Sequence, residues 1–385
     1  MSQVFLDHDL IGRPGGRADI TTPALVLDLD ALEANLAAMT AWAKSQDIAL
    51  RPHAKTHKCA TVGRLQMDGG ALGLCCAKLA EAEALAAAEK GAGLDRFLLT
   101  SPVVGARKID RLMTLAAGCA ELMVVVDDVG NVEALAAAAE AAGRDLGLLI
   151  DVDVGQRRTG VISAEAALAL AERIAAAPRL TLRGLQGYAG EAQHIADFAE
   201  RQRASHESLA FLAAVRDRLA AAGHPCPIMT GGGTGTHAVD PAAGVLNELQ
   251  VGSYTVCDVE YDAVDLTGDG TRRFRNALFV YARVVSASHA GFATIDAGSK
   301  SLAMDGPAPR VAFGAPEETT YACSGDEFGE LALPRGNNDP LRPGDLVALV
   351  VPHCDPTINC FDWYHCVRGD TLVDAWPIEA RGAAS

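Results

Sequence analysis

The chain has 385 residues, of which 49% are hydrophobic and 21% are charged. This length and composition exclude a disordered or collagen-like chain and a miniprotein, and they fit two or three domains of roughly 150 residues, or one large barrel with an attachment. The net charge is −16 and no basic cluster is present, so we expect a small-molecule ligand rather than nucleic acid or an anionic membrane.

The N-terminal residues, the apolar runs and the cysteines together predict the cellular compartment. The first residues, MSQVFLDHDLIGRPGG, lack the positive and apolar regions of a signal peptide. No uninterrupted apolar run approaches the roughly 18 residues that a membrane helix needs. The ten cysteines are scattered along the chain. We therefore expect a reduced, cytoplasmic compartment.

Strands and helices alternate from the first predicted strand at 25–29 onward. Asp30 is predicted to cap the helix that follows, with Glu33 in a capping box. Eight apolar segments then predict strands at 48–52, 71–75, 97–100, 122–126, 146–152, 180–186, 227–229 and 249–254. Ala-rich helices are predicted between them at 80–90, 109–117, 132–142, 164–177 and 198–222.

This order predicts two domains. Eight strands separated by helices indicate a parallel sheet that closes into a (β/α)8 TIM-type barrel. Beyond Arg275, period-two segments at 278–285, 292–296, 345–351 and 371–376 predict an all-β domain. The strand at 25–29 has no place in an eight-stranded barrel. We therefore predict an α/β barrel over 31–268 and an all-β C-terminal domain over 269–385 that includes the arm 1–30.

Lys55 lies in RPHAKTHK at 51–58, just past the end of the first barrel strand. Residues at the C-terminal ends of barrel strands face the active site. An amine there can form a Schiff base with a carbonyl cofactor or substrate, because desolvation or a neighbouring cation lowers its pKa. A solvated loop lysine is the alternative.

Two glycine-containing segments follow the seventh and eighth predicted strands. TGGGTGT at 230–236 offers backbone N–H groups and hydroxyls, as phosphate-binding loops after late barrel strands do, and GSY at 252–254 adds donors beside it. A turn without a ligand is the alternative. The candidate cofactor ligands here are Thr230, Gly232, Gly233, Gly252, Ser253 and Tyr254.

Other polar residues follow the intervening strands. Arg158, after the fifth barrel strand, can neutralise a phenolate or a carboxylate. Tyr188 and His194 follow the next strand, and the imidazole can carry a proton. Each of these residues alone is more often structural than catalytic. Their occurrence at the ends of successive strands favours an active site.

His353 and Asp355 lie in HCDPT within the predicted β domain. On an extended segment a spacing of two projects both side chains to one face, with Cys354 pointing away. One imidazole and one carboxylate suit a catalytic Mn²⁺, Mg²⁺ or Zn²⁺ whose remaining positions are held by water and substrate. Cys354 paired with His353 would favour zinc, and a surface pair without metal also fits the spacing.

These motifs resemble a family of metal-activated fold-type III pyridoxal phosphate enzymes with an alanine racemase-like barrel. The family includes D-threonine aldolase, 3-hydroxy-D-aspartate aldolase and D-serine dehydratase. The segment HCDPT at 353–357 resembles the aldolase version of the family's metal-binding motif. The resemblance spans nearly the whole chain and rests on RPHAKTHK at 51–58, DVDVGQRRTGV at 151–161, QH at 193–194, TGGGTG at 230–235, ELQVGSY at 248–254 and HCDPT at 353–357.

The resemblance implies roles for these residues. Lys55 would bind pyridoxal phosphate, Arg158 would face its phenolic oxygen, and Tyr188 would line its ring. His194 or a metal-bound hydroxide would take the proton of the substrate's β-hydroxyl. The phosphate ligands would be Gly232, Gly233, Gly252 and Ser253, and the metal ligands His353 and Asp355.

The implied activity is cleavage of a D-3-hydroxy-amino acid into glycine and an aldehyde. The alternatives are a dehydratase that yields a 2-oxo acid and ammonia, a non-catalytic pyridoxal phosphate carrier, and a metal-free racemase. Two departures leave the substrate open, because Phe328 replaces a histidine of the family and Ala77 replaces a glutamine. The resemblance also implies a homodimer in which the metal and Lys55 of one site come from different chains.

Overall fold

The first strand and helix precede the barrel in the computed structural model, which describes residues 5–88, 93–336 and 341–385. Strand β1 (Ala24–Asp28) leads into α1 (Leu29–Ser45), and Asp28 caps this helix by accepting a hydrogen bond from the N–H of Ala31 at 3.0 Å. The predicted cap was wrong. Asp30 lies in the first helical turn and contacts Arg368, because Asp28, in extended conformation, already satisfies a free N–H.

The eight predicted barrel strands form one parallel sheet in the order β2-β9-β8-β7-β6-β5-β4-β3. The sheet closes at a parallel bridge between His53 and Cys75, where the N–H of Cys75 donates to the carbonyl of Pro52 at 2.8 Å. The predicted barrel is thereby confirmed. Its strands are β2 (Ala49–Leu50), β3 (Leu74–Cys76), β4 (Arg96–Leu99), β5 (Glu121–Val126), β6 (Leu146–Val152), β7 (Leu180–Gly187), β8 (Ile228–Gly231) and β9 (Glu248–Leu249).

Five helices around the barrel agree with the predicted ones to within a few residues, and the helices at 60–68 and 259–262 were not predicted. Their inner faces are apolar at helical spacing, as in α5, where Val132, Leu135 and Ala139 are buried. Residues 89 and 90 of the predicted helix 80–90 lie outside the described residues. The helices are α2 (Ala60–Asp68), α3 (Leu79–Ala87), α4 (Ala106–Ala116), α5 (Val129–Ala142), α6 (Ala164–Ala175), α7 (Phe198–Ala221) and α8 (Val259–Asp262).

The eighth barrel strand is shorter than predicted. Strand β9 ends at Leu249, and residues 253–255 form a short 3-10 turn instead of continuing the strand to 254. The chain turns at Gly252, where a Cβ would lie 2.5 Å from Oγ1 of Thr56. This close approach explains why a glycine stands where the strand ends.

The C-terminal strands form a second, nine-stranded sheet in the order β11-β14-β13-β12-β15-β10-β1-β16-β17. Strand β1 lies in this sheet, antiparallel to β10 and parallel to β16, which is where the surplus strand was expected. The C-terminal strands are β10 (Leu278–Ser286), β11 (Phe292–Ile295), β12 (Arg310–Phe313), β13 (Thr320–Cys323), β14 (Gly329–Ala332), β15 (Leu346–Val350), β16 (Trp363–Arg368) and β17 (Thr371–Pro377).

The segment after β15 is a helical turn, α9 (Cys354–Ile358), and not the predicted extended segment. Only His353 is extended, at φ −139° and ψ 121°. The buried carboxylate of Asp258 accepts hydrogen bonds from the N–H of Cys354 at 2.9 Å and from the N–H of Tyr261 at 3.1 Å. Asp258 therefore joins the start of α9 to the start of α8, which brings Asp355 to the barrel.

Two large apolar cores correspond to the two sheets, one between the barrel strands and their helices and one on the nine-stranded sheet. In the described part of the chain no helix is long and apolar enough to cross a membrane.

Candidate active site

A cavity of about 660 Å³ opens at the C-terminal ends of the barrel strands. This is the end at which barrel enzymes hold their active sites. Six of the residues predicted from the sequence line the cavity: Lys55, Arg158, Tyr188, Gly233, Gly252 and Ser253.

The ammonium of Lys55 contacts the carboxylate of Asp355 in this cavity. Burial disfavours the charged form of both groups. The opposite charge of the partner and the hydrogen bond with it together have a larger effect and favour the charged form of each group. The pKa of Lys55 is consequently raised, opposite to the lowering expected from the sequence, because its neighbour is an anion and not a cation; the pKa of Asp355 is lowered from its ordinary value. The two residues belong to one chain, so the expectation that Lys55 and the candidate metal ligands of a site come from different chains was wrong.

Arg158 and Tyr188 lie together on one wall of the cavity. The guanidinium carbon of Arg158 is 5.6 Å from the centre of the Tyr188 ring, which is a cation–π contact. Burial raises the pKa of Tyr188 above its ordinary value. The phenol therefore stays protonated at neutral pH, and Arg158 remains available to an anionic group.

Backbone N–H groups that line another part of the same cavity suit a phosphate. Within the described residues, no acceptor bonds to the N–H of Thr234, Gly252 or Ser253, and all three residues line the cavity. Free N–H groups in a glycine-containing turn form an anion-binding concavity. This part of the cavity and Lys55 together fit a pyridoxal phosphate.

Three candidate cofactor ligands lie outside this cavity. Thr230 is fully buried and accepts a hydrogen bond from Gln250 at 3.2 Å. A Cβ on Gly232 would lie 2.2 Å from Oδ2 of Asp240, so this glycine is needed for packing. The hydroxyl of Tyr254 accepts a hydrogen bond from Gln66 at 3.2 Å in the barrel wall, away from the cavity.

The two candidate histidines each lie beside an acid. Nδ1 of His353 is 3.1 Å from Oδ2 of Asp305, and Nε2 of His194 is 3.8 Å from Oε2 of Glu260. The ring of His194 packs 4.9 Å from that of Tyr261, which lines the cavity. Burial lowers the pKa of His194 below its ordinary value, so the imidazole is neutral at pH 7 and can accept a proton.

The donors available to a metal are few. In residues 5–88, 93–336 and 341–385 no group of three or more His, Cys, Asp and Glu side chains is arranged to hold an ion. A metal at His353 and Asp355 would therefore take its other ligands from water and substrate. Cys354 is buried, and burial raises the pKa of its thiol well above the ordinary value.

A buried polar network at the base of the cavity was not predicted. Nε2 of Gln250 donates to Oε1 of Gln186 at 3.0 Å, and Nε2 of Gln186 donates to Asp151 at 2.9 Å. Nε2 of His53 lies 3.1 Å from Oγ1 of Thr100. Polar side chains at the ends of predicted apolar strands were the sequence signal that could have identified these residues.

The two departures from the family pattern lie in different places. Ala77 lines the cavity, where a glutamine would reduce its volume. Phe328 lies in the turn between β13 and β14, is 46% exposed, and does not line the cavity of its own chain.

Two family models match the chain. Residues 27–258 match the alanine racemase N-terminal domain, and residues 277–367 match a putative serine dehydratase domain.

The curated relatives include two aldolases that match over nearly their whole length. A 3-hydroxy-D-aspartate aldolase of Paracoccus denitrificans (strain Pd 1222) is 38% identical over 97% of this chain and 96% of its own. A D-threonine aldolase of Arthrobacter sp is 40% identical over 96% of this chain and 95% of its own. A D-threo-3-hydroxyaspartate dehydratase of Delftia sp. (strain HT23) is more distant, at 29% identity over 74% of this chain and 73% of its own.

The solved structure of a D-threonine aldolase from Filomicrobium marinum has the same fold. It superposes with a TM-score of 0.89 at 37% identity and covers 96% of this chain and 98% of its own.

Proposed function

The chain belongs to the fold-type III pyridoxal phosphate lyases that join an alanine racemase N-terminal domain to a putative serine dehydratase domain, and we propose that it cleaves D-3-hydroxy-amino acids into glycine and an aldehyde. The observation that carries this proposal is the contact between Lys55 and Asp355. It puts an amine suited to a carbonyl cofactor beside a carboxylate suited to a metal, at the mouth of one cavity.

Pyridoxal phosphate fits the residues that line the cavity. Lys55 would bind its aldehyde carbon, and the free N–H groups of Gly252 and Ser253 would hold its phosphate, with Gly233 beside them. Arg158 would balance the phenolate. His353 and Asp355 would hold a divalent ion, for which Mn²⁺, Mg²⁺ and Zn²⁺ are the candidates, and Asp305 would orient the imidazole of His353.

When bound, the cofactor supplies an electron sink at the substrate's Cα and the metal acidifies its β-hydroxyl. His194, neutral at pH 7, accepts the hydroxyl proton as the bond between Cα and Cβ breaks. Lys55 returns a proton to Cα, which completes glycine. Tyr188 and Tyr261 border the cavity in which this chemistry would take place.

The proposed substrate carries a hydroxyl at Cβ and the D configuration at Cα, as the names of the aldolase relatives indicate for those proteins. D-threonine and 3-hydroxy-D-aspartate are the two candidates. A homodimer is proposed on the same family grounds. In it, Phe328 at the exposed hairpin turn would be free to face the partner subunit.

The test is a product assay with pyridoxal phosphate and Mn²⁺ on D-threonine, 3-hydroxy-D-aspartate and D-serine, with and without a chelator. The proposal predicts glycine and an aldehyde from at least one of the first two substrates, with loss of the reaction on chelation. Ammonia and a 2-oxo acid would instead identify a dehydratase.

A further inference from the structure

Gln193 precedes the candidate base His194 and bonds the glycine-rich turn at 232–236. It lies in the short 3-10 helix Glu191–His194, which follows β7, and its side chain is almost completely buried. Gln193 is the first residue of the QH pair at 193–194, whose histidine is the candidate base.

Both polar atoms of the Gln193 amide are hydrogen-bonded, mostly to the glycine-rich turn at 232–236. Its Oε1 accepts hydrogen bonds from the N–H of Gly235 at 3.0 Å and from the N–H of Thr236 at 3.3 Å. Its Nε2 donates to Oγ1 of Thr236 at 3.0 Å and to the carbonyl of Ala189 at 3.2 Å. One buried side chain therefore satisfies three polar groups of the turn at 232–236.

The turn is packed closely against Gln193. A Cβ on Gly233 would lie 2.5 Å from Oε1 of Gln193, and a Cβ on Gly235 would lie 1.9 Å from its backbone oxygen. Gly233 and Gly235 thus lie too close to Gln193 for a larger residue to fit at either position. On the other side, Gly233 and Thr234 face the cavity.

The next residue in the chain is the candidate base. His194 ends the same 3-10 helix, and its ring packs against Tyr261 at the cavity and lies beside Glu260. The amide that bonds the turn and the backbone that carries His194 therefore belong to adjacent residues of one short helix. We propose that Gln193 is a positioning residue that couples an anion bound at the turn to the placement of His194. This inference rests on the proposed function.

The test begins with cofactor affinity, which does not depend on activity. Apo-enzyme carrying Gln193→Leu, or the shorter amide of Gln193→Asn, is titrated with pyridoxal phosphate and followed by visible absorbance. Both variants withdraw the amide from the turn, so we expect the Kd to rise about tenfold or more. The Asn variant retains a polar side chain and keeps the test valid if the Leu variant does not fold.

A matched control is present on the same segment. Gln156 accepts a hydrogen bond from the N–H of Gly190, at the start of the segment, but does not contact the turn. Gln156→Leu should keep the Kd within about threefold of wild type. An equal rise in this control would mean that any loosening of the segment weakens the cofactor, which contradicts a specific role for Gln193.

The coupling itself is measured by a double-mutant cycle at saturating pyridoxal phosphate. His194→Ala should lower kcat much less in the Gln193→Asn background than in the wild type, because the base is already misplaced there. Additive effects on kcat, or a wild-type kcat of Gln193→Asn once it is saturated, would contradict the inference while leaving the proposed function intact. An unchanged kcat of His194→Ala alone would contradict the base role in the proposed function.

Discussion

Lys55 and Asp355 lie 300 residues apart in the sequence, and their charged groups are in contact at the mouth of the barrel. The first lies after the first barrel strand, and the second lies in the turn of helix α9. Asp258 secures that arrangement, because its buried carboxylate bonds the start of α9. A barrel alone would provide the amine without the carboxylate, so the second sheet is needed to complete the site.

Replacement of Lys55 tests the cofactor site. Lys55→Ala removes the amine that we propose binds pyridoxal phosphate, so the visible absorbance of the bound cofactor should disappear together with turnover. Absorbance spectra after dialysis against the cofactor measure this. Lys108→Ala, which removes an exposed lysine on α4, should leave the spectrum unchanged. An active Lys55→Ala protein would refute the assignment.

Replacement of His353 separates the metal from the cofactor. His353→Ala should keep the visible absorbance and lower turnover about a hundredfold or more, because only the metal site is altered. Metal content and kcat are measured on the same preparation. His289→Ala changes an exposed histidine that stacks on Phe292 and should have neither effect. Loss of the absorbance band would place His353 in the cofactor site instead.

Asp240 predicts a pH dependence of stability. It is buried under the turn at 232–236, and burial raises its pKa to about 6. Ser205 and Thr236 donate hydrogen bonds to it, and these bonds together with the nearby His206 lower its pKa by less than burial raises it. Because its pKa in the unfolded chain is about 3.9, the native state holds a proton that the unfolded state releases, and stability falls as the pH rises from about 4 to about 6.

Asp240→Asn removes this titration. The difference in the free energy of unfolding, variant minus wild type, should therefore rise by about 3 kcal/mol as the pH goes from about 4 to about 6. Above that range the difference should stay constant. Urea unfolding at a series of pH values measures the difference. A flat difference for Asp240→Asn would show that the carboxyl is not perturbed.

Arg51 lies among the starts of the barrel strands, and we expect its replacement to lower stability strongly. Its buried guanidinium bonds Glu248 at 2.8 Å and Glu121 at 3.2 Å. Arg51→Met leaves the carboxylate of Glu248 buried without its cation, so we expect a loss of roughly 3–5 kcal/mol in the free energy of unfolding. Arg183→Met removes a more exposed partner of the same Glu121 and should cost at most about 1 kcal/mol. Similar losses in both variants would contradict this explanation.

The sequence predicted most of the barrel because its strands are continuous buried runs, such as Glu121–Val126 and Leu146–Val152. Strands β12, β13, β14 and β16 were not among the predicted segments, and in β12 the reason is that its residues are mostly exposed and show no alternation. Helix α9 was missed because five residues are too short for a helical period. The cap of α1 was displaced by two residues because Asp28 and Asp30 both precede the apolar stripe.

The site was predicted only in part, for a related reason. Local motifs at strand ends identified Lys55, Arg158 and Tyr188, because the C-terminal ends of parallel strands meet at one face of a barrel. The contact of Lys55 with Asp355 depends on how two sheets pack, and no local pattern carries that information. The role of Gln193 likewise follows from packing against glycines about 40 residues later in the chain.

The most direct test of the proposed activity is to determine which bond of the substrate breaks. D-threonine labelled with carbon-13 at both Cα and Cβ, incubated with the holoenzyme and Mn²⁺, is followed by carbon NMR. The account predicts that the coupling between the two labelled carbons disappears as separate signals of glycine and acetaldehyde appear. A product that retains the coupling, as a 2-oxo acid formed with release of ammonia would, contradicts it.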